Sequence, residues 1–119
     1  MLESYLTLKA EYEIIPMELK DCVEVALLHG ERFSRVWDET EFQSLLSQET
    51  TFGFVARQTN AFLKKALPGF VLARHVAGEA EILTIAVNAK LGRSGLGWRL
   101  MQAALREAGS RGEIGRAHV

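Results

Sequence analysis

Apolar residues follow two rhythms along this chain, and the places where one gives way to the other mark its elements. In Thr51–Arg57, the residues Phe52, Phe54 and Ala56 alternate with Gly53, Val55 and Arg57, a period of two that predicts a strand. Ile82–Val87 is β-branched and almost wholly apolar, which predicts a strand covered on both faces. Tyr12–Ile15 is a shorter strand candidate, ended by Pro16. Phe70–Val76 and Glu81–Val87 read as strands joined by the hairpin-length link Ala77-Gly78-Glu79. The helical period appears in three places. Leu19, Val23, Ala26 and Leu27 fall on one face of a helix expected from about Met17 to Glu31, either stopping at Gly30 or running on to Phe33. After the connector Ser34–Trp37, Phe42, Leu45 and Leu46 give a second helix its apolar face. Asp38 is expected to cap it, with Glu41 as the reciprocal partner three residues on. Leu96, Leu100, Ala103, Ala104 and Leu105 predict a third. Between Gln58 and Pro68 the pattern is less regular: Ala61–Leu67 fits a short helical turn, and Pro68-Gly69 a turn into the next strand.

The order is therefore strand, helix, helix, three antiparallel strands, helix. It predicts an α/β (α+β) arrangement in three layers, a mostly antiparallel sheet flanked by helices. At 119 residues this is one domain at most. A net charge of −1 gives no electrostatic argument for nucleic acid or an anionic membrane as partner. Cys22 is alone, which excludes a disulfide framework or a cysteine-based zinc site within the chain. His29 and His75 are too scattered to argue for a metal, and each is expected to be a satisfied core or surface histidine. No apolar run approaches the ~18 residues of a membrane span, and Glu3, Lys9, Glu11 and Glu13 interrupt any signal-peptide pattern, so a cytoplasmic protein is expected.

The chemistry concentrates where the apolar strand Ile82–Val87 meets the last helix. Gly92-Arg93-Ser94-Gly95-Leu96-Gly97 places small residues where that helix must begin. The first turn of a helix has N–H groups without partners and the positive end of the dipole, so it attracts anions. Glycine lets a phosphate approach the backbone because no Cβ stands in the way. Arg93 adds a charge. The order G-x-x-G-x-G is neither the dinucleotide fingerprint nor the P-loop, and a tight connection with no ligand remains open on these residues alone.

The run around it resembles the acetyl-CoA-binding motif of the GNAT N-acetyltransferases, Arg/Gln-x-x-Gly-x-Gly/Ala between the fourth strand and the third helix. Gly95 and Gly97 match its two later positions; the first is Gly92, with Arg93 adjacent. Within the superfamily, Glu79–Val87 and the segments His29–Phe33 and Trp37–Phe42 look most like the RimI group, which acetylates the N-terminal α-amine of a ribosomal small-subunit protein. The resemblance runs from about Tyr12 to about Gly112. It implies the N-terminal half of a GNAT fold, acetyl-CoA as co-substrate and a protein N-terminus as acceptor. It also implies that Ile85, Ala86 and Val87 line acetyl-CoA with backbone groups while Arg93, Ser94, Gly95, Leu96, Gly97 and Trp98 wrap the diphosphate.

Family members continue past the third helix, so the resemblance covers a partial domain over residues 1–113. Ile114–Val119 reads as a non-native tail, similar to a translated sequencing-library adapter. The fourth strand would then present an open apolar edge, with poor solubility or oligomerisation expected. The RimI base and acid fall beyond the chain. Glu81 matches the base position of histone-type members and is the tentative general base; an edge carboxylate facing solvent is the other reading. A lysine or small-molecule amine remains open as acceptor, as does a non-catalytic CoA-binding fragment.

Overall fold

The period-two stretch becomes a strand, Thr51–Gln58 (β2), and its alternation decides which helices lie on which side of the sheet. The computed structural model describes residues 9–117, with side chains as far as residue 112. Strand β2 lies between Tyr12–Pro16 (β1) and Gly69–Val76 (β3), and Glu79–Val87 (β4) follows at the edge, in the order β1-β2-β3-β4. All three pairings are antiparallel. Helices Cys22–Arg32 (α1) and Glu39–Leu46 (α2) cover one face of the sheet, and Leu96–Ala117 (α3) covers the other. This is an α+β fold in three layers, as the pattern predicts. The expectation of a foreign tail at Ile114–Val119 concerns side chains outside the described residues.

Odd and even residues of β2 go to different cores. Phe52 and Ala56 pack under α3 with Val71, Ala73, Leu100 and Ala104. Val55 packs under α1 and α2 with Phe70, Leu72, Val25 and Phe42. Gly53 is required on the second face: a Cβ there would stand 2.8 Å from the Val71 carbonyl and 2.9 Å from the Met17 methyl. Met17 donates its N–H to the Gly53 carbonyl at 2.8 Å, which ties the start of the α1 segment to the sheet.

Helix α1 departs from the expectation. It starts at Cys22, after a single 3-10 turn over Leu19–Asp21 in which the Glu18 N–H donates to the Asp21 carboxylate at 2.8 Å. Its inward residues are Cys22, Val25, Leu28 and His29. Leu19, Val23 and Leu27 face outward, the reverse of the orientation their spacing suggested. Both stripes are apolar, so period alone could not choose. The inward one is anchored by an ion-pair cluster: Arg57 on β2 donates to both Glu24 oxygens, at 2.9 and 3.0 Å, and to Asp21 at 2.7 Å.

Helix α2 starts at the expected cap, the Asp38 carboxylate accepting from the Glu41 N–H at 2.9 Å, but the Glu41 carboxylate makes no return bond to Asp38 among the described residues. The segment between β2 and β3 forms no helical turn. Pro68 biases the residue before it to extended backbone. Leu67 alone of the apolar residues in Ala61–Leu67 reaches the core, while Phe62 and Leu63 stay in solvent.

Strand β4 is covered only in part. Thr84 and Ala86 are buried, but Ile82, Leu83, Ile85 and Val87 are half-buried, because β4 has a neighbour on one side only among the described residues. A bulge lies in it: Leu72 faces Thr84 and Ala73 faces Ile82, leaving Leu83 as the extra residue. Leu83 packs towards the α1–α2 core, Ile82 and Ile85 towards α3. No helix among the described residues is long and apolar enough to cross a membrane. No group of three or more His, Cys, Asp or Glu residues among them could hold a metal ion.

Candidate functional site

Strand β4 feeds the Gly-rich stretch through a short 3-10 turn, Ala89–Leu91, additional to the elements predicted above. Asn88 builds it: its side chain accepts from the Lys90 N–H at 3.1 Å and its carbonyl from the Leu91 N–H at 2.8 Å. Its own N–H donates to the Pro68 carbonyl at 2.8 Å, pinning the turn to the base of the β2–β3 loop. The signal was present, an Asn preceding a helical turn.

The loop then satisfies some of its amides and leaves others free. Ser94 donates its N–H to the Leu91 carbonyl at 3.1 Å and its hydroxyl to the same carbonyl at 2.6 Å; its Oγ accepts from the Leu96 N–H at 3.3 Å. Ser94 therefore acts as the helix cap, and the N–H groups of Ser94 and Leu96 are occupied by the protein. The N–H groups of Gly95, Gly97 and Trp98 have no partner among the described residues. These three amides sit at the positive end of α3. Leu96 is fully buried under the loop and, with Leu100, fixes the start of the helix against the sheet.

The two glycines serve different ends. Gly95 adopts φ +81°, a left-handed conformation that side chains with a Cβ adopt at a cost. Gly97 is helical, and a Cβ there would meet only the Val87 methyl at 3.7 Å, an ordinary contact. The protein itself does not need glycine at 97; the missing Cβ leaves the neighbouring amides open to an approaching ligand. Arg93 is exposed and makes no ion pair or hydrogen bond among the described residues, and Trp98 stands 65% exposed in the first turn.

The structure thus gathers Ile85, Ala86, Val87, Arg93, Gly95, Gly97 and Trp98 at one end of the sheet. Glu81 is not among them. It lies four residues before Ile85, roughly 13 Å along an extended strand. There it pairs with Arg74 at 2.8 Å and remains exposed. Tyr12 is half-buried, its carbonyl accepting from Arg99 at 3.0 Å.

On the opposite face, the α1–α2 connector is held by an aromatic cluster. His29 is buried, stacked between Phe33 at 4.4 Å and Trp37 at 5.0 Å between ring centroids, with Phe42 edge-on at 5.4 Å. Its Nδ1 accepts from the Trp37 N–H at 3.4 Å. Burial pushes the imidazole pKa down, with Glu41 pulling weakly the other way. Burial likewise pushes the Cys22 thiol up, so this cysteine is a small core residue.

Several solved structures share this arrangement. The Escherichia coli ribosomal-protein-S18-alanine N-acetyltransferase superposes with TM-score 0.72 at 24% identity, covering 86% of this chain and 62% of its own. The aminoglycoside N-acetyltransferase AAC(6')-Iy in complex with CoA gives 0.69 at 15% identity, covering 89% of this chain and 74% of its own. Arabidopsis thaliana NAA60 in complex with a bisubstrate analogue gives 0.70 at 17% identity, covering 82% of this chain and 66% of its own. This chain therefore spans a little under two thirds of the E. coli enzyme it resembles. No curated protein matches it in sequence. The family model described as "Acetyltransferase (GNAT) family" matches residues 21–119, from the start of α1 through the Gly-rich loop and α3. With the three-layer fold and the open amides at Gly95, Gly97 and Trp98, that match makes the chain a member of the GNAT acetyltransferase family.

Proposed function

We propose that the chain binds acetyl-CoA through the loop between β4 and α3 and transfers acetyl to the N-terminal α-amine of a ribosomal protein, in the manner of the RimI group. The observation that carries this reading is the set of three unpartnered N–H groups at Gly95, Gly97 and Trp98, at the head of a 22-residue helix. A diphosphate suits them: the amides donate, the dipole is favourable, and the open side of Gly97 admits close approach. Arg93, with no protein partner, supplies countercharge. The bound coenzyme supplies an acetyl thioester.

What the chain does towards transfer is mainly to hold and to donate. Alternate residues of β4 direct N–H and C=O away from β3, so Ile85–Val87 offers backbone groups along the open edge, where donors for a developing oxyanion are required. An α-amine has a pKa near 8, so about one in ten is neutral at pH 7, a deficit of about 1.4 kcal/mol. The demand on a base is therefore small, and orientation carries most of the rate. Glu81 is the carboxylate this reading assigns to the base, a minor role at its distance from the loop.

Titration calorimetry with acetyl-CoA tests the reading, with Gly97→Ala as the probe. The variant is expected to keep its melting temperature, since its Cβ meets only ordinary contacts, and to weaken binding about tenfold or more. Gly95→Ala is expected to cost about 1 kcal/mol of stability as well, from the left-handed backbone. No binding of acetyl-CoA by the wild-type chain overturns the proposal. Transfer to a lysine or small-molecule amine is the second reading, supported by an aminoglycoside enzyme matching the fold about as well. Mass spectrometry of an Ala-initiated peptide and an aminoglycoside, each incubated with acetyl-CoA and the chain, separates the two.

A further inference from the structure

We propose that the Trp98 indole is a stacking platform for the nucleotide base of the acyl donor, a role separate from that of the Trp98 amide. The inference rests on the reading of the Gly95, Gly97 and Trp98 amides as a diphosphate cradle, and it adds how the rest of the donor is recognised. An acyl group on a phosphopantetheine without a base would lack this contact.

The fold gives the indole nothing to do. Trp98 is 65% exposed, although tryptophan is highly buried on average. Helix α3 meets the sheet through Leu96, Leu100, Ala104 and Ala108, and Trp98 packs with neither core. At about 100° of turn per residue, two residues beyond Leu96 is the side of the helix facing away from the sheet. No ring or cation stacks on the indole among the described residues. Its neighbour Arg99 is committed elsewhere, donating to the Tyr12 carbonyl at 3.0 Å.

The position of the indole suits a base. Trp98 carries both a free amide and the ring, so an anion on that amide lies within one side-chain length of the indole. Side chains on a helix lean towards its N-terminus, which tilts this ring towards the loop. In a coenzyme A thioester a single ribose joins adenine to the diphosphate, a span of the same order. Stacking on an aromatic ring uses the face of a base and not its edges. The platform is therefore expected to prefer a purine to the smaller pyrimidine and to separate adenine from guanine poorly.

Equilibrium binding of acetyl-CoA, ADP, CDP and inorganic pyrophosphate to the full chain, followed by calorimetry, tests it. Trp98→Ala is expected to weaken acetyl-CoA and ADP about ten- to a hundredfold. It should leave pyrophosphate binding and the melting temperature unchanged, because the indole is exposed. Trp98→Phe is expected to recover most of the loss. The wild type should bind ADP more tightly than CDP, and that preference should vanish in Trp98→Ala. Unchanged acetyl-CoA binding by Trp98→Ala overturns the proposal. An equal loss of pyrophosphate overturns it too, since the ring would then be supporting the loop and not a base. A wild type that binds pyrophosphate as tightly as ADP overturns the platform and leaves the cradle standing. A wild type that binds none of the four overturns the cradle, and the platform with it.

Discussion

The two faces of the sheet are held by different means. Under α3 the contacts are small and close: Ala56, Ala73, Ala104 and Ala108 let one long helix lie near the strands, with Leu96 and Leu100 as the bulky members. Gly69 belongs to this face, where a Cβ would stand 3.0 Å from both the Ala86 carbonyl and a Leu100 methyl. Under α1 and α2 the contacts are large and polar groups are interleaved: Phe42 against Phe70, His29 among four aromatic rings, and the Arg57 cluster at one margin. The difference suits the proposed roles. Amides that must meet an anion at fixed positions stand on the face with the least freedom. The connector Ser34–Asp38, which the other face carries, is exposed except at Trp37 and is held through that residue and His29.

The sharpest way to break this comparison is to open a cavity on each face. Phe42→Ala is expected to cost about 3–5 kcal/mol and Leu100→Ala about 2–5 kcal/mol by urea denaturation. Only the second should also weaken acetyl-CoA binding in the fraction that remains folded, because Leu100 fixes the start of α3. If Phe42→Ala weakened binding as strongly, the two faces would not be separable in function. Arg57→Met is expected to cost less, about 2–3 kcal/mol, by leaving the buried Asp21 carboxylate without its partner. That loss should fall when Asp21→Asn is added.

The smallest effect is in pH. His29 has a folded-state pKa below its ordinary value, so the unfolded chain binds the extra proton more readily. Its contribution is present above the unfolded pKa of about 6.5 and is lost as pH falls from there towards the lower folded value. Urea midpoints measured at pH 7.5 and at pH 5 are expected to show this loss in the wild type. His29→Phe, which cannot protonate, should show less of it. An equal loss in both would place the acid sensitivity elsewhere.

How far the molecule could be read from its residues differs from element to element. The alternation in β2, the Asp38 cap and the Gly-rich turn were legible because each depends on neighbours within a few positions. The Asn88 turn rests on the same kind of local signal, an Asn accepting from the N–H two residues on. Glu81 could be placed on β4 but not relative to the loop, and its partner Arg74 follows only from the strand register. The Arg57 cluster joins residues 33 and 36 positions apart, and no local spacing announces it.

By itself the sequence determined the order of elements, the alternation of β2 and the glycines at the head of α3, since backbone preference and short-range period decide these. The tertiary structure alone decided which of two apolar stripes on α1 turns inward, that β4 carries a bulge at Leu83, and which loop amides stay free. Those choices depend on which surfaces meet across the sheet. A helix with two apolar faces, or an amide with two nearby acceptors, is settled only when distant parts of the chain arrive beside it.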